Sequence, residues 1–138
     1  MKLHEFHARS LESTLILADE SMLHMERLLR ERGQTGIIRR VENSLTPEMQ
    51  QTLLQEVAKL RRMLAQFAGD FSLEPHLLDV RRVILAELSS LWVHLQDSRP
   101  ERMTGYGRIF DEEAARFLLA SVEKLLAQVT AMRMLLNE

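Results

Sequence analysis

The sequence contains no cysteine. Disulfides, thiolate metal sites and cysteine nucleophiles are therefore excluded. Residues that interrupt helices are scarce, with Gly 5 and Pro 3 in the whole chain. Aromatic residues make up 5% of it, with Trp 1 and Tyr 1. No uncharged apolar run approaches the roughly 20 residues that a membrane-spanning helix needs. Met1–Ser10 has no apolar core of the kind a secretory leader carries. A cytoplasmic location is the expectation, in keeping with the missing cysteines. The formal net charge is −2, which gives no global field for nucleic acid or an anionic membrane. Neither partner is expected.

Leu, Ala, Glu, Gln, Arg and Met dominate what is present, and this is helix composition. Apolar residues recur at helical spacing in four stretches. They are Leu11, Leu15, Ala18, Met22, Met25, Leu29; then Leu53, Val57, Leu60, Leu64, Phe67; then Leu77, Val80, Ile84, Leu88, Leu91, Leu95; and last Ala115, Leu118, Val122, Leu125, Val129, Met132, Leu136. The spacing predicts helices over about 10–32, 47–68, 73–97 and 112–137, within a single domain 1–138. Seams of this kind suit near-antiparallel packing. The expected fold is all-α, a four-helix antiparallel up-down-up-down bundle.

Local punctuation supports those segments. Gly33 and Gly36 come after a basic last turn containing Arg30 and Arg32. Thr46-Pro47-Glu48 offers a capping hydroxyl, a proline at the first helical position and an acid. Gly69 is expected to end the second helix and Ser72 to cap the third, with Glu74 and Pro75 in its first turn. Asp111, ahead of Glu112 and Glu113, is expected to start the fourth. The second and third helices are expected to be joined by only a few residues. Segments 33–45 and 97–110 are longer, and Ile37, Ile38 and Val41 hint at a packed helical turn in the first.

Catalytic chemistry finds little to work with. A di-metal bundle site needs two Glu-x-x-His motifs, and this sequence has none. His4 and His7 share a helix face, but no third ligand is in reach. Glu87, Ser90 and His94 read as the polar border of a core helix. Gly105-Tyr106-Gly107 is not a phosphate loop, because it lacks the length and the preceding strand. No catalytic residue, metal site or cofactor is expected.

Two features depart from a plain bundle. Up-down topology would bring segments 33–45 and 97–110 to one end, where Arg39, Arg40, Arg99, Arg102, Arg108 and Tyr106 could bind an anion or an acidic protein. The second is uneven amphipathicity. The backs of the first two helices are polar, at Glu12, Asp19, Glu26, Gln55, Lys59 and Arg62. Those of the last two are apolar, at Val83, Ala86, Val93, Ala120, Ala127, Ala131 and Met134, with Trp92 on a flank. A helix apolar on most sides is normally covered on most sides. These positions are the expected homodimer interface. The expected function is a non-enzymatic interaction, adaptor or regulatory bundle that self-associates. The alternatives are anion or nucleic-acid binding at the Arg-rich end, and an enzyme with a cavity between helices.

Overall fold

The computed structural model describes residues 1–103, 105, 107 and 111–137. The chain is mostly helical, with a small two-stranded sheet. Its elements are α1 (Glu5–Arg30), β1 (Gly33–Thr35), β2 (Arg40–Glu42), α2 (Pro47–Asp70), α3 (Val80–Gln96), a 3₁₀ turn at Pro100–Arg102, and α4 (Glu112–Leu136). Two compact units result, Met1–Pro75 and His76–Glu138.

In the first unit, α1 starts well ahead of Ser10. His4 caps it, with its ring Nδ1 accepting from the Phe6 N–H at 3.4 Å. Glu5 in the first turn and Arg27 and Arg30 in the last turn complement the helix dipole. The chain leaves α1 through Arg32 at φ 56 and Gly33 at φ 124. A Cβ on Gly33 would lie 2.3 Å from the Val41 carbonyl oxygen, so only glycine fits.

Segment 33–42 then forms a β-hairpin rather than a helical turn. Gly33 pairs with Glu42, Gln34 with Val41 and Thr35 with Arg40. The Gly36 N–H closes the turn by donating to the Arg39 carbonyl at 2.8 Å. Thr35, Ile37, Ile38 and Val41 are β-branched, Gly33 opens the first strand and Gly36 follows it, so this stretch resists helix formation.

The Thr46 hydroxyl caps α2 by accepting from the Met49 N–H at 3.2 Å. α1 and α2 lie antiparallel, pinned at three levels. Gln50 Nε2, early in α2, donates to the Leu29 carbonyl at the end of α1 (2.8 Å). Arg61 meets Asp19 midway at 2.7 Å. The Met1 amino group donates to the Asp70 carbonyl at the far end (2.8 Å). Leu29 and Val57 are the buried residues of this pair.

α2 continues through Gly69 and ends in a Schellman motif. The Leu73 N–H donates to the Ala68 carbonyl at 2.9 Å and the Ser72 N–H to the Gly69 carbonyl at 3.0 Å. Ser72 takes the left-handed position, φ 57. Its role is thus the reverse of the expected one: it ends α2 and does not start α3. Residues 73–79 are non-helical, since Pro75 disfavours a helical Glu74. The Asp79 carboxylate caps α3, accepting from the Arg81 N–H at 3.0 Å. The link between the two helices therefore spans 71–79.

In the second unit α3 packs on α4, with Leu88, Val122, Leu126 and Val129 buried. The Asp111 carboxylate caps α4, accepting from the N–H groups of Glu113 and Ala114 at 3.0 and 3.2 Å. Arg99, just past α3, reaches Glu123 in the middle of α4 at 3.1 Å. The buried residues of α4 begin at Val122, so α3 lies antiparallel along its C-terminal half.

Candidate interaction surfaces

Within each unit a helix has one helical neighbour, α2 for α1 and α4 for α3, which covers one stripe of it. Among the described residues the buried hydrophobics are Leu29, Val57, Leu88, Val122, Leu126 and Val129, and no polar or charged residue is buried. The accessible surface is 11583 Å². A compact chain of this mass exposes about 7,400 Å², and two separate compact units sharing the mass about 8,900 Å². Leu53, Leu60, Phe67, Ile84, Leu91, Leu125 and Met132 all belong to the seams read from the sequence, yet they are between 38% and 52% exposed.

On α2, Met49, Leu53, Leu60, Met63 and Phe67 are all exposed. At about 100° per residue they form one stripe along the helix, roughly a quarter-turn from Val57. The expected interface positions lie elsewhere. Val83, Ala86 and Val93 on α3, and Ala120, Ala127, Ala131 and Met134 on α4, are all exposed. By the same helical angle they sit on the sides of α3 and α4 turned away from Leu88, Val122, Leu126 and Val129. Trp92 is half-buried.

The arginines have different surroundings. Arg39 closes the hairpin turn and Arg40 opens β2, and both are exposed. Arg99 and Arg102 belong to the second unit and are engaged there. Arg99 donates to Gln96 Oε1 at 2.7 Å and to Glu123 Oε1 at 3.1 Å. Arg102 lies 3.9 Å from the Asp97 carboxylate. Tyr106 and Arg108 lie outside the described residues.

Sequence reading missed two polar contacts. Asp19 belongs to what reads as a polar helix back, yet its carboxylate accepts two hydrogen bonds from the Arg61 guanidinium, at 2.7 and 3.5 Å. That hydrogen bond and the carboxylate's charge raise the pKa of Arg61 above its ordinary value. The other is a relay at the base of the hairpin. Asn43 Nδ2 donates to Gln50 Oε1 at 2.7 Å, and Asn43 Oδ1 accepts from the Leu45 N–H at 2.9 Å. Both depend on helix register, which residue order alone does not disclose.

The hairpin contrasts sharply along its length. At its tip Ile37 and Ile38 are 103% and 97% exposed. At its base a pocket of about 360 Å³ is lined mostly by apolar side chains of α1, α2 and β2. Glu42 is the one charged residue in that lining.

His4 and His7 stand with ring centroids 5.9 Å apart. Among the described residues no group of three or more acids and histidines could hold a metal ion. No helix among them is long and apolar enough to cross a membrane. Comparison of the chain with protein-family models, with curated proteins and with solved structures finds no match.

Proposed function

We propose that this chain is a non-enzymatic, self-associating interaction module of the adaptor or regulatory kind. Its helices close into an antiparallel four-helix bundle, and the backs of α3 and α4 meet those of a second copy. The observation that carries this reading is the wet apolar surface. A specific dimer buries on the order of 1,200–2,000 Å² in total. The excess over two separate compact units is roughly 2,700 Å² per chain, enough to supply such an interface with area left for helix packing. Small side chains at Ala120, Ala127 and Ala131 let a facing helix approach closely, and half-buried Trp92, on a flank of α3, supplies a large anchor near the boundary. A closed two-fold pairing of like surfaces is the simplest arrangement.

Sedimentation at micromolar concentration tests the reading. The wild-type mass is expected at twice the 16.0 kDa chain or more. Val93→Glu with Ala127→Glu is expected to halve that mass while the circular dichroism stays helical. A single-chain mass for the wild type, or an unchanged mass for the double variant, rejects it.

A further inference from the structure

Arginines of two helices meet in a groove between α1 and α2. Arg30, Arg61 and Arg62 line a cavity of about 380 Å³ together with Glu26. The rest of its lining is apolar, at Leu54, Val57, Ala58 and Ala65. Small-molecule sites have volumes of about 300–1,000 Å³ and set a few polar groups against an apolar wall, as this one does. At about 100° per residue, Leu54, Ala58, Arg61 and Ala65 lie on one side of Val57. Leu53, Leu60 and Phe67 lie on the other. A neighbour that covers the wet stripe of α2 therefore leaves this groove open.

Two of the guanidiniums are held in place by carboxylates that do not use them up. Glu26 Oε1 accepts from Arg30 Nε at 2.9 Å. The Asp19 carboxylate accepts from Arg61 Nε and Nη2, at 2.7 and 3.5 Å. A guanidinium carries five N–H donors in a rigid fork, so both keep donors for a further acceptor. Arg62 is exposed, and among the described residues no carboxylate lies within ion-pair distance of it. With Asp19 counted beside Glu26, the arginines still leave the groove net positive.

We propose that this groove binds a small phosphate monoester, with the phosphoryl oxygens among the Arg30, Arg61 and Arg62 guanidiniums and the apolar body on Leu54, Val57 and Ala58. A phosphate monoester offers three terminal oxygens, which suits donors arriving from three forks, whereas a carboxylate offers two in one plane. Asp19 and Glu26 are positioning residues. Each gives up part of the attraction to fix a guanidinium, so less side-chain freedom is lost on binding. The hairpin arginines Arg39 and Arg40 take no part, and the site does not depend on pairing between copies.

The test is a titration of the full-length, isotope-labelled chain with butyl phosphate, followed through amide chemical shifts. One site per chain is expected, with the largest shifts around Leu54, Ala58 and Arg62. Butyl phosphate should bind about tenfold tighter than inorganic phosphate, because its chain covers apolar lining. Arg62→Gln should weaken binding about tenfold through the lost charged hydrogen bonds. That position is exposed, so helical circular dichroism is expected to persist. Asp19→Ala should also weaken binding, although it removes a negative charge, because Arg61 is no longer held. Arg39→Gln with Arg40→Gln should leave the affinity unchanged. No shifts at millimolar butyl phosphate, or an unchanged affinity in folded Arg62→Gln, overturns the proposal. Tighter binding by Asp19→Ala also overturns it, since charge alone would then account for the attraction. So does a loss in the Arg39→Gln, Arg40→Gln variant equal to that of Arg62→Gln, or inorganic phosphate binding as tightly as butyl phosphate.

Discussion

Gly33 and Gly69 occupy similar places in the sequence, each close to a helix end, and the backbone treats them oppositely. Gly33 sits at φ 124, with no room for a Cβ beside the Val41 carbonyl. Gly69 lies within α2, and a Cβ there would meet nothing within 4 Å. Gly33→Ala should therefore lose about 1–3 kcal/mol of stability through backbone strain. Gly69→Ala should gain about 0.5–1 kcal/mol, because alanine has less backbone freedom to surrender on folding. Urea unfolding of the two variants beside the wild type measures both, and equal effects of one sign would contradict this assignment. Capping residues were the most legible single positions. Thr46 and Asp111 stand directly before acidic first turns, and each side chain accepts from the backbone N–H groups its helix leaves open. The Asp19–Arg61 contact was illegible, since charged residues on a helix back usually face solvent and nothing local separates the exception.

At the level of elements, four amphipathic stretches were readable because the helical period persists over many turns. Their ends were less so. Ser72, Glu74 and Pro75 resemble a helix start, but the same serine completes the Schellman end of α2. A short polar residue suits either role, and the choice depends on whether the chain turns left-handed there. The two roles predict different responses. Ser72→Gly should stabilise the chain by about 0.5–1 kcal/mol, because glycine takes the left-handed conformation without a Cβ penalty. Asp79→Ala should cost about 1 kcal/mol, the usual loss for a helix N-cap. Chemical denaturation of both variants decides between the roles; destabilisation by Ser72→Gly would return Ser72 to the start of α3. The hairpin escaped notice because strands of three residues are too short to display a two-residue period.

For the molecule as a whole, the sequence announces apolar seams without saying which neighbour covers them. Leu125 and Leu126 are adjacent, and the regular spacing selects Leu125, yet Leu126 is the one buried against α3. The candidate interface at Val83, Ala86, Val93, Ala127 and Ala131 was legible as an absence of charge, whereas the pocket under the hairpin depends on contacts between distant segments. Wet seams also have a thermal consequence. Globular domains take up about 12–15 cal/mol/K per residue on unfolding, mainly from newly hydrated apolar surface. If two copies pair through α3 and α4 as proposed, a chain kept single by substitutions at 93 and 127 leaves that contact surface hydrated, and calorimetry should find a smaller heat-capacity step per residue than for the wild type. On the same proposal the wild type should approach the usual range, with a midpoint that climbs as protein concentration rises. A large step makes stability strongly curved in temperature, and contacts built from apolar burial weaken on cooling. If the proposed pairing holds, chilling a dilute solution should therefore separate the copies while each remains helical.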